Sequence, residues 1–200
     1  MIKLTIAIPT VFGREESFDR LTAEIQRQLE YYDASNYVEV ITIKDNKEIT
    51  IGAKRQLMYE KAQGLYTVQL DDDDFIAPDY IGRVLEAIKL DPDCVTYQER
   101  CDMDGKIELA NISLTYADWK TNDKPGVMFK YERTPFNICP IKTVLCLLAG
   151  MDDVRWAEDH TFSKRAKSLI KSEVHIDDYM YFYQRRTGGQ TFKQRYGFTS

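Results

Sequence analysis

Four consecutive carboxylates, Asp71-Asp72-Asp73-Asp74, stand at the end of the apolar, β-rich run Leu65-Tyr66-Thr67-Val68-Gln69-Leu70 and just before Phe75-Ile76-Ala77-Pro78. Adjacent aspartates repel one another and favour turns over strand or helix, so nothing in a domain's stability calls for them. In an open α/β sheet the carboxyl end of a strand is where ligands bind. Carboxylate oxygens suit hard divalent cations, and such a cation in turn holds phosphate oxygens. The run reads as a metal-diphosphate site, against the alternative of a solvated acidic turn in which Asp72 or Asp74 caps the following helix. An EF-hand is excluded, because Phe75 follows Asp74 and the loop glycine is missing. A second acidic pair, Glu158-Asp159, opens a later helix, where a carboxylate is favoured either as a cap or as a working group. His175 is a candidate ligand for a metal or diphosphate, against a structural histidine beside a strand.

These groups need elements to hold them. Leu4 to Thr10 predicts a buried strand closed at Pro9-Thr10. Glu15 to Tyr32 carries Phe18, Leu21, Ile25 and Leu29 at helical spacing. Tyr37 to Ile43 predicts a second strand ending at Lys44-Asp45-Asn46, and Ile51 to Gln63 a helix capped by Gly64, which leads into the strand before the aspartates. Strand, helix, strand, helix, strand implies right-handed crossovers and a parallel sheet. Beyond it, a helix runs from Pro78 to Ile88, and Asp104-Gly105 joins strands at Cys94–Cys101 and Lys106–Leu114. Periodicity is lost from Thr115 to Asn137, an aromatic-rich segment whose Tyr116, Trp119 and Phe136 suit stacking on a sugar or base, or packing a loop down. A short apolar helix from Pro140 to Ala149 with Gly150 as cap, a helix through Ile170, a strand at Val174–Tyr183 and a basic tail complete the chain.

The 200 residues are 44% hydrophobic and 30% charged, enough for one domain with a proper core. A net charge of -5 gives no broad footprint for nucleic acid. Cys94, Cys101, Cys139 and Cys146 form no C-x-x-C pair, which predicts reduced thiols and a cytoplasmic setting. No signal peptide and no membrane-spanning run is expected.

Four collinear segments carry a resemblance. Ile6-Ala7-Ile8-Pro9-Thr10; Lys54-Arg55-Gln56 with Ala62-Gln63-Gly64-Leu65-Tyr66 and Leu70 to Asp74; Gly150-Met151-Asp152-Asp153 with Glu158-Asp159 and Arg165; and Tyr183-Gln184-Arg185-Arg186 together resemble a family 2 glycosyltransferase of the GT-A fold. Gln56 stands where that family usually has Asn, and Asp45-Asn46-Lys47 replaces its common D-x-G-S turn.

The resemblance implies a single GT-A (Rossmann-like) α/β domain with a mostly parallel central sheet flanked by helices. Residues 1–90 would form a nucleotide-sugar-binding half, 91–185 an acceptor-binding and catalytic half, and 186–200 a basic tail; the short chain implies a minimal acceptor subdomain. It implies an inverting, metal-dependent glycosyltransferase that uses Mn²⁺ or Mg²⁺ and a nucleotide-sugar, with UDP expected. By resemblance Asp159 is the general base and Glu158 an orienting or acceptor-binding group. Asp71, Asp73 and Asp74 belong to the metal site, with Asp73 the main ligand and His175 an addition. Pro9, Thr10, Asp45, Arg55, Asp72 and Arg185 face the nucleotide-sugar, and Trp119 and Phe136 the acceptor. That acceptor is a glycan or a hydroxymethylated DNA base, the latter served by Arg185, Arg186, Lys193 and Arg195. A metal-dependent nucleotidyl- or phosphotransferase and a non-catalytic nucleotide-sugar-binding domain are the competing expectations.

Overall fold

The computed structural model describes residues 1–185. β1 (Leu4–Val11), α1 (Glu15–Tyr31), β2 (Val38–Asp45), α2 (Ile51–Lys61) and β3 (Tyr66–Gln69) form the first half. β4 (Phe75–Ile76) and α3 (Tyr80–Ile88) lead to the hairpin β5 (Cys94–Met103) and β6 (Lys106–Ile112). β7 (Lys120–Thr121), β8 (Tyr131–Arg133), β9 (Ile141–Lys142), α4 (Thr143–Ala149), α5 (Glu158–Leu169) and β10 (Glu173–Arg185) follow. One sheet takes the order β2-β1-β3-β9-β5-β6-β8-β7, with β10 against β4 and β5. Most paired residues lie in the parallel ladders β1–β2, β1–β3, β5–β10 and β6–β8.

β1 is central, so Leu4, Ile6, Ala7 and Ile8 are wholly buried and the strand reads as a continuous apolar run. Its proline is tolerated because the β1–β3 ladder ends at Ala7 and Gln69, which leaves Pro9 with no neighbour on that side. The chain leaves β1 toward β2 on one side and reaches β3 on the other, so a crevice opens between the carboxyl ends of β1 and β3. Thr10 and Asp71 to Asp74 flank it.

The β5–β6 hairpin turns through Asp104 and Gly105, both at positive φ, as the Asp-Gly pair predicts. Two local expectations are corrected. α2 ends at Lys61 and Gly64 does not cap it; a Cβ at Gly64 would lie 2.5 Å from the Thr5 backbone N, so this glycine permits close approach to β1. Ile141–Lys142 forms β9, antiparallel to β3 and β5, so the helix predicted from Pro140 begins at Thr143. Gly150, at φ +63°, does cap α4. Two short strands, β7 and β8, lie within the otherwise irregular segment from Thr115 to Asn137. All four cysteines are free and buried, and among the described residues no helix is long and apolar enough to cross a membrane.

Candidate active site

The aspartates diverge as soon as β3 ends, because each is drawn to a different element. Asp72 is wholly buried and accepts from the Thr10 hydroxyl at 2.6 Å and from Arg14, which sits at the start of α1. Arg14 also reaches Asp73 at 2.8 Å, and Arg20 of α1 donates to the Asp73 carbonyl at 3.0 Å. Asp74 is buried beneath the Tyr181 hydroxyl at 2.6 Å and the Gln184 backbone N–H at 2.7 Å. Two register shifts in β10 lie just before Tyr181 and aim it at this corner. Neither Asp72 nor Asp74 caps α3, since β4 intervenes.

Arg55 ties three elements together. From α2 its guanidinium donates to Asp71 at 2.7 Å, to Gln69 at 3.3 Å and to Glu158 of α5 at 3.1 Å. The rigid fork of a guanidinium can serve several acceptors at once. Burial pushes the Glu158 carboxyl up, an effect that Arg55 opposes. Lys54, its buried neighbour, donates to Asp45 and, at 2.7 Å, to the Thr10 carbonyl. Hydrogen bonds from Lys54 and the Ile49 N–H outweigh desolvation and hold Asp45 below the usual carboxylate range.

The turn before α5 is clamped to α2. Gly52 N–H donates to the Val154 carbonyl at 3.1 Å, and a Cβ on Gly52 would stand 1.8 Å from the Asp152 carbonyl oxygen. Gln56 accepts from the Met151 N–H at 2.9 Å, so the substitution for Asn serves this clamp. Arg165 spans the turn, donating to the Ala149 and Gly150 carbonyls and to Asp152. Ala157 then takes a left-handed φ of 61°, at a cost on the order of 1 kcal/mol, and starts α5 so that Glu158 meets Arg55. Both acids lie in the helix's first turn, where its dipole favours them.

A cavity of about 280 Å³ opens among Arg55, Asp71, Asp159, Trp119, Phe136 and Tyr181. Trp119 and Phe136 meet edge to face at 5.0 Å, and the indole N–H is anchored on Ser163 at 3.1 Å. A larger cavity of about 940 Å³ at Tyr32, Tyr66 and Gly82 contains none of the predicted site residues.

The fold thus brings together Thr10, Arg55, Asp71 to Asp74, Glu158 and Asp159, with Asp45 beside them through Lys54 and Pro9 one residue before Thr10. His175 is not among them. It lies nine residues before Gln184 on β10, roughly 25–30 Å along the strand, and its ring nitrogen pairs with Thr96 at 3.0 Å. Its expected place as a metal ligand is therefore corrected, because the parallel register with β5 carries it to the opposite end of the sheet. Arg185 closes β10, and its carbonyl accepts from the Asp104 N–H at 3.1 Å. Arg186, Lys193 and Arg195 lie outside the described residues.

Asp71 and Asp73 are the partly exposed members of the run. Among the described residues no group of three or more His, Cys, Asp or Glu side chains surrounds one point. This donor set fits Mg²⁺ or a similar cation, which is commonly held by one or two carboxylates and completed by substrate phosphates and water. Sequence reasoning missed Arg14, Arg20, Lys54 and Tyr181 as partners of the acids. For Lys54 and Arg55 the available signal was two adjacent cations on one short helix with no acid four residues away.

The sequence matches the model of glycosyl transferase family 2 over residues 10–146. No curated protein matches it in sequence. The fold is similar to S. aureus TarS 1-349, at TM-score 0.63 and 14% identity, covering 92% of this chain and 60% of that one. For the same protein in complex with UDP-GlcNAc the values are 0.66 and 13%, with 100% and 62% covered. For its UDP complex they are 0.63 and 14%, with 93% and 61% covered. The chain thus spans about three-fifths of the TarS 1-349 chain.

Proposed function

The chain belongs to glycosyl transferase family 2, and we propose that it transfers a sugar, with inversion, from a UDP-sugar to an acceptor hydroxyl. One observation carries this: the end of β3 and the start of α5 each present a carboxylate, Asp71 and Asp159, to a single cavity. The complexes of TarS with UDP-GlcNAc and UDP support the donor class.

In this reaction the acceptor oxygen bonds to the anomeric carbon, the bond from that carbon to the diphosphate breaks, and Asp159 takes the acceptor proton. Glu158 is committed to Arg55, so it acts by orienting and not by touching the acceptor. Arg14 stands beside Asp72 and Asp73, where a diphosphate can draw it away from the acids. A divalent cation held by Asp71 and Asp73 would neutralise charge on the leaving diphosphate. Trp119 and Phe136 supply an apolar wall for the acceptor sugar. A glycan is the acceptor we propose for this wall; of the residues behind the DNA-base alternative, Arg186, Lys193 and Arg195 lie outside the described residues.

Calorimetric titration of UDP, GDP, CDP and TDP, each with Mn²⁺ and with EDTA, tests the proposal. Metal-dependent binding of UDP, lost in Asp73→Ala, is the expected result. Binding of none of the four by the wild-type protein would overturn it.

A further inference from the structure

Two buried polar groups that the mechanism leaves unused face the same cavity. Glu99, on β5, keeps 7% of its surface, and Asn137 keeps 2%. Among the described residues no cation stands at ion-pair distance from Glu99, and its side-chain hydrogen bond comes from the weakly donating Cys101 thiol. The Asn137 Oδ1 is buried and, among the described residues, has no hydrogen-bond partner. Leaving such groups without a partner costs about 1–3 kcal/mol each, so a fold retains them where something else completes them.

Resting on the donor reading above, we infer that Glu99 and Asn137 recognise hydroxyls of the transferred sugar, and that this sugar is neutral. Both groups accept hydrogen bonds, and neighbouring hydroxyls on one ring can donate to both. The cavity holds about nine waters' worth of volume, the scale of the transferred ring alone, so the acceptor sugar meets Trp119 and Phe136 with only its reacting hydroxyl inside. Its walls carry Asp71, Asp74 and Asp159 against the arginines Arg55 and Arg133, and Arg55 is already paired with Asp71 and Glu158, so the acids prevail and oppose a sugar acid. Arg133 sits over the Trp119 and Tyr131 rings at 4.9 and 4.8 Å, with its NH1 spent on the Lys120 and Glu132 carbonyls, and closes one side. Burial raises the Glu99 carboxyl to about 7, against the opposing charge of Arg133 and the Cys101 thiol.

The test compares a nucleoside diphosphate with its sugar conjugates, which needs no acceptor. Binding of UDP, UDP-glucose, UDP-galactose, UDP-N-acetylglucosamine and UDP-glucuronate with Mn²⁺ is measured for the wild type, Glu99→Gln and Asn137→Ala. Both variants should bind UDP within twofold of the wild type, yet lose tenfold or more for the preferred neutral UDP-sugar and discriminate less between epimers. UDP-glucuronate should bind the wild type worst. The ligand-free Glu99→Gln protein should melt no lower than the wild type, whereas a structural carboxyl would cost stability when replaced. Unchanged sugar affinity and discrimination in both variants, with UDP binding intact, would overturn this inference alone. Failure of the wild type to bind UDP would overturn the donor reading with it.

Discussion

Asp71 and Asp74, from the acidic run after β3, and Glu99 on β5 line one cavity under opposite conditions. Asp71 has Arg55, Asp72 has Thr10 and Arg14, Asp73 has Arg14, and buried Asp74 has Tyr181 and a backbone N–H. Glu99, also buried, has the charge of Arg133, beyond ion-pair distance, and a thiol. A buried charge that is paired and hydrogen-bonded belongs to the architecture; one left nearly alone is held for something the protein lacks. The first region is preorganised, and the second is where our inference places the hydroxyls of the sugar.

That contrast can be broken most sharply at Arg55. Its replacement by Met leaves buried Glu158 unpaired and removes a partner of Asp71, which should cost about 3–5 kcal/mol in denaturant unfolding. Loss below 1 kcal/mol would mean the β3 end is not built around this cation.

A smaller effect comes from pH. Glu99 rises from 4.5 to about 7 on folding, so between those values the folded state holds a proton that the unfolded chain has released. The stability it contributes is complete below about pH 4.5 and is lost as pH climbs through about 7, a fall of about 3 kcal/mol. Melting curves of the metal-free protein should flatten over that range in Glu99→Gln; an unaltered slope would assign it to other raised acids such as Glu158.

Next in size, Asp159→Asn should lower turnover about a hundredfold, equal to about 2.7 kcal/mol of barrier, while UDP affinity stays within twofold. Full activity in this variant would remove Asp159 from the chemistry. Smallest of all, Thr50→Ala removes the hydroxyl that caps α2 on the Ala53 N–H and contacts Asp153, and should cost about 1 kcal/mol by thermal unfolding. A much larger loss would show that the α2 clamp governs more of the site than the cap alone.

Much of the fold is legible in the sequence. Leu4–Thr10, Tyr37–Ile43 and the run into Asp71 declare buried strands by their apolar β-branched residues, and Asp104-Gly105 declares its turn because few other pairs accept two positive φ angles. The acidic residues announce themselves because four adjacent carboxylates have no local use. Partnerships were not legible. Arg55 and Glu158 lie 103 residues apart, and Tyr181 lies 107 from Asp74.

By itself, then, the sequence determined the order of the first five elements, the burial of β1 and the two places where acids gather, since local propensity and hydrophobic period are properties of neighbours in the chain. Only the tertiary structure decided that the two acidic sites share a cavity, that His175 stands apart from it, and that Glu99 and Asn137 face it without strong partners. Those outcomes follow from sheet order and register, which the whole core sets together. A one-residue slip of β5 would turn Glu99 to the other face of the sheet, and no local pattern around Glu99 records which face that is.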